Sequence, residues 1–275
     1  MSTKRLDGLL ARFSVRANLY HSGPLCGVTD EPAITGQGYL HVVQSGLVEV
    51  RQPGHPTLHI VEPTLLLYAR PLTHRFLTDP QCGAEFVCAT VAFNAGMNNP
   101  IVRALPPLLC VTLADAPELQ PIIGLLFEEA FGARHARQAI ADRLFEVLLI
   151  QLLRRVVDRG MVGTGMLAGL AHPQIGAALV ELHDAPERTW TLEALAAVAG
   201  MSRSRFAETF KAVLGTTVGE YMCEWRITLA QHLLLNGTPL QQVAPAVGYG
   251  SAVALARAFK MRLGLTPREW LLQVK

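Results

Sequence analysis

The hydrophobic positions change period once along the chain. Up to about residue 110 they form short runs: Tyr39-Leu40-His41-Val42-Val43-Gln44, Leu47-Val48-Glu49-Val50-Arg51, Leu58-His59-Ile60-Val61 and Glu85-Phe86-Val87-Cys88-Ala89-Thr90-Val91. Gly and Pro punctuate them, and Ser45-Gly46 between the first two is a hairpin signal, so the spacing predicts a small β-barrel or sandwich. Beyond Pro117 the apolar residues recur at three and four. Ile122, Leu125 and Leu126, then Leu144, Val147, Leu148, Leu152 and Val156, predict amphipathic helices. Gly160 to Gly169 holds four glycines and no charge and reads as a linker. From Pro173 the chain is helical again in short pieces. The fold class is α+β, with one domain at 1–160 and an all-α domain at 173–273.

The second domain contains a repeat. Residues 202–221 moved forward by 49 land on 251–270: Ser202 on Ser251, Phe210 on Phe259, Lys211 on Lys260, Leu214 on Leu263, Gly215 on Gly264 and Thr217 on Thr266. Two copies of one supersecondary unit explain this. In the first copy Leu192, Leu195, Ala196 and Val198 supply the apolar face of a supporting helix, and Gly200 turns the chain. Ser202 is expected to cap a second helix whose Phe206, Phe210 and Leu214 are buried. Arg203, Ser204, Arg205, Ala207, Glu208 and Lys211 are left on its other side. In the second copy Val243, Ala244 and Val247 support, Gly248-Tyr249-Gly250 turns and Ser251 caps. Leu255, Phe259 and Leu263 are expected inside, and Ala252, Val253, Ala256, Arg257 and Lys260 outside. Two helices joined by a tight glycine-containing turn form a helix-turn-helix unit, whose second helix enters a DNA major groove. Between the copies, Thr217-Val218-Gly219-Glu220 is a capping box that starts a longer helix, stopped at Asn236-Gly237. Its length would let the two second helices reach successive major grooves about 34 Å apart.

Charge adds little to this picture. The net charge is +2; residues 1–172 hold fourteen basic and fourteen acidic residues, and residues 173–275 ten basic and eight acidic. DNA attraction must therefore come from where the charges stand. Five cysteines at irregular spacing make no disulfide framework and point to a reducing cytoplasm. The apolar stretch at the start is broken by Arg12 and Arg16, and Leu144 to Val157 is too short and too charged to span a bilayer, so no membrane partner is expected.

The segment from Trp190 to Trp270 resembles the DNA-binding domain of the AraC/XylS family of bacterial regulators. The matching words are Thr191-Leu192-Glu193-Ala194-Leu195-Ala196, Gly200-Met201-Ser202-Arg203-Ser204-Arg205-Phe206, Trp225-Arg226 with Leu233-Leu234, Val247-Gly248-Tyr249, Arg257-Ala258-Phe259-Lys260 and Gly264-Leu265-Thr266-Pro267. Pro245 departs from the pattern, standing inside a supporting helix where the family usually carries Glu. The N-terminal segment resembles the cupin-like sensor domain of one AraC-type subfamily, through Gly38-Tyr39-Leu40-His41, the Ser45-Gly46 turn, Pro71 to His74-Arg75, and Asn99-Pro100 with Leu105-Pro106. That subfamily includes regulators that respond to oxidants such as reactive chlorine.

The resemblance implies a cupin-like β-barrel with following helices and a sequence-specific transcription regulator of promoter DNA, such as an activator working with RNA polymerase. It also implies a homodimer and an effector, either a small molecule or an oxidant, with no cofactor and no enzymatic activity. The stripe Leu144, Val147, Leu148, Leu152 and Val156 is the expected dimer face. His41 and His74 occupy positions that line cupin barrels, and Cys88 matches a strand cysteine of the oxidant sensors; the three are the expected sensor or ligand residues. As metal ligands, His41 and His74 would need a third partner, with Glu49, His55 and His59 in view. Cys26 and Cys82 are loop cysteines and possible thiol partners. The rival class is a cupin-type metalloenzyme with a helical appendage.

Overall fold

The computed structural model describes residues 5–94 and 96–274; the first four residues, part of the expected first domain, lie outside them. In chain order the elements are α1 (Asp7–Arg12), β1 (Val15–Leu25), β2 (Val28–Glu31), β3 (Gly38–Ser45), β4 (Val48–Arg51), β5 (Leu58–Ile60), β6 (Thr64–Tyr68), β7 (His74–Thr78) and β8 (Ala84–Phe93). There follow α2 (Pro100–Ala104), β9 (Leu109–Thr112), α3 (Gln120–Phe131), α4 (Arg137–Asp158), α5 (Met166–Ala171) and α6 (Pro173–Asp184). The last six helices are α7 (Leu192–Val198), α8 (Arg203–Leu214), α9 (Val218–Leu235), α10 (Leu240–Ala246), α11 (Ala252–Leu263) and α12 (Pro267–Val274). They divide into two compact units, one of residues 14–97 and 105–155, the other of residues up to 13, 98–104 and 156 onward.

The first unit is built of two antiparallel sheets, ordered β1-β8-β3-β6-β9 and β2-β7-β4-β5. Both contribute to one core: Tyr39 and Val43 of β3, Leu66 and Tyr68 of β6 and Phe86 and Cys88 of β8 meet Val48 and Val50 of β4, Ile60 of β5 and Phe76 of β7. This is the small antiparallel barrel or sandwich expected from the runs. β6 is buried at every position, so its sequence Thr-Leu-Leu-Leu-Tyr shows no alternation. At the free edge of β1, the Leu19 N–H donates to the Asp142 carboxylate of α4 (2.7 Å), and the Leu19 carbonyl accepts from Gln138 (2.8 Å).

The expected dimer stripe is spent inside the chain. Leu144, Leu148, Leu152 and Val156 are buried in the chain's own fold, and only Val147 is exposed. A stripe at helical spacing satisfies a core as readily as a partner.

In the second unit the glycine-rich stretch is only partly a linker. Met166 to Leu170 form most of α5 and are buried. A Cβ on Gly169 would stand 2.6 Å from Leu179 Cδ1 and 2.9 Å from Leu214 Cδ2, so this glycine is there for close packing of α5 on α6 and α8. The N-terminal α1 belongs to the same unit: Arg5 donates to the Leu170 carbonyl (2.8 Å), and Phe13 packs edge-on against Trp225 (5.8 Å).

Candidate nucleic-acid interface and sensor core

Each half of the helical unit builds the same device. In the first, the Thr191 hydroxyl accepts from Ala194 N–H (3.1 Å) and starts α7. Gly200 at φ 62° turns the chain, and the Met201 N–H returns to the Ala196 carbonyl (2.9 Å). Then α8 runs from Arg203 to a left-handed Gly215 with Phe206, Phe210 and Leu214 buried. Ser202 occupies the cap position with extended backbone, but its side chain makes no capping hydrogen bond, contrary to expectation. Leu195, Ala196 and Ala199 are the buried face of α7; Val198 is 40% exposed, because the face rotates on to Ala199.

In the second half, α10 carries Pro245 in its last turn rather than its first. The carbonyl that loses its donor four residues on belongs to Gln241, an exposed residue at the start of the helix, where the loss costs least. Gly248 at φ 82° turns the chain, the Tyr249 N–H reaches the Ala244 carbonyl (2.8 Å), and the Ser251 hydroxyl accepts from Ala254 N–H (3.1 Å). α11 buries Leu255, Ala258 and Phe259 and ends at a left-handed Gly264. Leu263 is exposed rather than buried, and Ala258 takes its share of the inner face.

The repeat reaches further than the helices themselves. Thr217 and Glu220 form the expected capping box at the start of α9. Forty-nine residues on, the Thr266 N–H donates to the Glu269 carboxylate (2.7 Å), and the Glu269 N–H to the Thr266 hydroxyl (3.3 Å), ahead of α12. Hydrogen bonds from Thr217 pull the Glu220 carboxyl down to about 2, and those from Thr266 lower Glu269 likewise.

The outward side of α8 presents Arg203, Ser204, Arg205, Glu208 and Lys211, with Ala207 half-buried among them. Arg203 is held by Glu193 of α7 (3.0 Å), an exposed pair that phosphate could replace. On α11 the corresponding side shows Val253, Arg257 and Lys260, with Ala252 and Ala256 half-buried. Each helix thus offers one strip of cations and small residues backed by buried phenylalanine, and only α8 adds a hydroxyl, that of Ser204. α9 between them has 18 residues, about 27 Å at 1.5 Å rise.

His41, His74 and Cys88 come together in the sheet unit. His41 of β3 stands directly opposite Cys88 of β8, and its Nε2 lies 2.9 Å from Nε2 of His74 on β7. His74 Nδ1 is 2.9 Å from the Leu72 carbonyl and must donate there. Its Nε2 is then the acceptor, His41 Nε2–H the donor, and His41 Nδ1 is left without a partner. Tyr68 stacks on His74 (3.9 Å), Tyr39 stacks on His41 (5.6 Å), and the Tyr68 hydroxyl is also unsatisfied. Burial pushes His74 down to about 4 and His41 well below its ordinary value, so both rings are neutral.

Cys88 is fully buried, and burial, with Glu31 nearby, pushes its thiol well above the usual range. A reactive sensor thiol needs the reverse. Tyr20 donates to Glu31 (2.6 Å), whose own carboxyl is raised by burial. Cys26 and Cys82 are exposed. Glu49 is paired with Arg51, and His55 and His59 are exposed, so none of the three joins the histidine pair. Among the described residues no three His, Cys, Asp or Glu side chains are grouped to hold a metal.

A cupin family model matches residues 4–158, and a helix-turn-helix domain model matches residues 195–273. A putative AraC-like transcription regulator of Streptomyces antibioticus is 37% identical over 192 residues, covering 68% of this chain and 62% of that protein. The RCS-specific HTH-type transcriptional activator RclR of Escherichia coli K12 is 24% identical over 234 residues, covering 84% and 82%. The solved structure of ToxT from Vibrio cholerae O395 aligns over 95% of this chain and 98% of its own, at 12% identity and a TM-score of 0.41. The chain spans about six tenths of the length of the first curated relatives it matches.

Proposed function

The chain belongs to the AraC-type regulators with an N-terminal cupin domain, and on that premise we propose that it is a sequence-specific transcription regulator of double-stranded promoter DNA. The observation that carries this reading is the duplicated helix-turn-helix, each copy showing a strip of cations on the outer side of a second helix whose inner side is buried phenylalanine. Residues 173–273 are the DNA-binding domain in this reading. Arg203, Arg205, Lys211, Arg257 and Lys260 neutralise phosphates and set register. Ser204, Ala207 and Glu208 on α8, and Ala252, Val253 and Ala256 on α11, face base edges. The second set has no hydrogen-bonding side chain, so it reads thymine methyl groups and groove shape.

The sensor domain, expected over residues 1–160, is in this reading the sheet unit of residues 14–97 and 105–155. One relative is an RCS-specific activator, which favours an oxidant among possible signals for this chain. His41, His74 and Cys88 are buried inside that domain, and a signal acting on them must first open it. A homodimer on paired half-sites, working with RNA polymerase in the cytoplasm, completes the reading. Since the stripe on α4 is buried, pairing would use the exposed Leu125, Phe131, Ile140 and Val147. In vitro selection from a random duplex library with the full chain tests the reading. A recovered consensus with two half-sites is the expected result; recovery of no sequence would sink it.

A further inference from the structure

Nothing in the chemistry of the helix-turn-helix units requires the long helix between them to do more than connect. Yet α9 carries one side chain, Arg226, that makes three hydrogen bonds, each to a backbone carbonyl in the segments around it. Arg226 donates through Nε to the Pro186 carbonyl (2.8 Å), through Nη2 to the Arg188 carbonyl (2.9 Å) and through Nη1 to the Gly248 carbonyl (3.3 Å). Pro186 and Arg188 lie in the loop between α6 and α7, the lead-in to the first helix-turn-helix. Gly248 is the turn of the second, between α10 and α11. One planar cation thus bonds to both units at once.

The second unit is shaped to admit it. A Cβ on Gly248 would stand 2.8 Å from Arg226 Cζ and 2.8 Å from the Pro186 carbonyl oxygen. The glycine therefore serves the guanidinium as well as the φ of 82° that the turn needs. Two further polar contacts join α9 to the second unit, the exposed Glu224–Arg262 ion pair (2.8 Å) and Cys223 Sγ near the Tyr249 hydroxyl (3.8 Å); apart from these, α10 and α11 with the turn between them bury Val243, Val247, Leu255 and Phe259 completely. Apolar burial is non-directional and tolerates sliding and rotation. A rigid fork of charge-assisted hydrogen bonds does not.

We propose that Arg226 is a positioning residue that fixes the two recognition helices, α8 and α11, at one separation and orientation, and so sets the half-site spacing the chain accepts. The DNA half of this statement rests on the proposed function; the geometric half does not. Lysine is the informative replacement, because it keeps the charge and the aliphatic stem but cannot hold carbonyls on both sides in a fixed fork.

The test uses the full chain with spin labels on non-canonical residues at positions 204 and 253, one on each recognition helix. Double electron–electron resonance should give a narrow distance distribution for wild type. With Arg226→Lys it should be at least about twofold broader at an unchanged helical circular dichroism, since one directional restraint is gone. Equal widths and means would overturn the proposal. The second arm measures affinity for a duplex recovered by selection with wild type, and for the same duplex with the halves moved apart by roughly 5 base pairs, half a helical turn. Wild type should lose most of its affinity on insertion. Arg226→Lys should bind the original duplex about tenfold more weakly, as expected for losing charge-assisted bonds, yet lose much less on insertion. A mutant with the wild-type spacing dependence, or one equally weakened on an isolated half-site, would make Arg226 a stability residue only. If wild type selects no DNA, the functional reading fails, and the distance measurement still decides the role of Arg226.

Discussion

Phe206 and Phe259 show what the recognition helices cost to build. Each ring is fully buried on the face opposite the exposed cations. Truncation to alanine should destabilise the helical unit by about 3–5 kcal/mol. Melting followed by circular dichroism should fall together with DNA binding; lost binding with a normal melt would put the ring in the interface instead. The buried imidazoles make a second prediction. His74 is held down to about 4, His183 to about 3 and His41 well below its ordinary value, each chiefly by burial. In the unfolded chain all three titrate near 6.5. Below that pH the unfolded state binds more protons than the folded one, so stability is full above about 6.5 and is lost as pH falls towards the folded values. The slope rises to about 1.4 kcal/mol per pH unit for each histidine. Glu31, whose carboxyl is raised, works in the opposite direction but is one group against three. The melting temperature should therefore drop between pH 7 and pH 5, and a flat profile would mean that water reaches these rings.

Capping distinguishes two helices that look equivalent in sequence. Ser251 accepts from the backbone of α11, whereas Ser202 at the same point of α8 does not. Ser251→Ala should cost about 1 kcal/mol and Ser202→Ala markedly less, read as a difference in denaturant midpoint. Equal losses would show that Ser202 caps in solution as Ser251 does. The repeat at 49 residues made the two units legible, with their glycines and most of their buried faces, because identical residues at identical spacing demand one backbone. Besides the absent Ser202 cap, three details escaped. Val198 and Leu263 sit at element ends, where the buried face has rotated past them to Ala199 and Ala258. Gly169 looked like flexibility, but the pattern of glycine cannot say whether the missing side chain serves freedom or close packing. In the sheet unit the runs at β3, β4, β5 and β8 were readable, while β6 hid as a continuous apolar stretch. The pairing of His41 with His74 depends on β3 and β7, which belong to different sheets, and no local pattern records that.

At the scale of the whole molecule, a net charge of +2 leaves little long-range attraction for DNA, so affinity must rest on a few placed cations. Lys211→Ala should weaken binding to every sequence and flatten the salt dependence by about one unit of slope. An unchanged slope would remove Lys211 from the phosphate contacts. The same economy bears on how an oxidant would act. Thiolate character and access decide which sulfur reacts first. Cys26, Cys82 and Cys110 are exposed, while Cys88 lies inside the core with its thiol pushed up. Brief treatment of the native chain with iodoacetamide should modify the exposed Cys26, Cys82 and Cys110 and leave Cys88 untouched until the sheet unit unfolds, with the order read by peptide mass spectrometry. If hypochlorous acid changes promoter affinity, wild type and Cys88→Ser should respond alike in the first phase, because the exposed thiols react before the core opens. Loss of that fast response in Cys88→Ser would mean that the core opens often enough for the buried thiol to sense directly. A signal can act only through a difference in its energy between two arrangements of the molecule. Oxidising a thiol in contact with Tyr20 and opposite His41 would create that difference inside the core, whereas oxidising a loop thiol would create it only where the loop itself is rearranged.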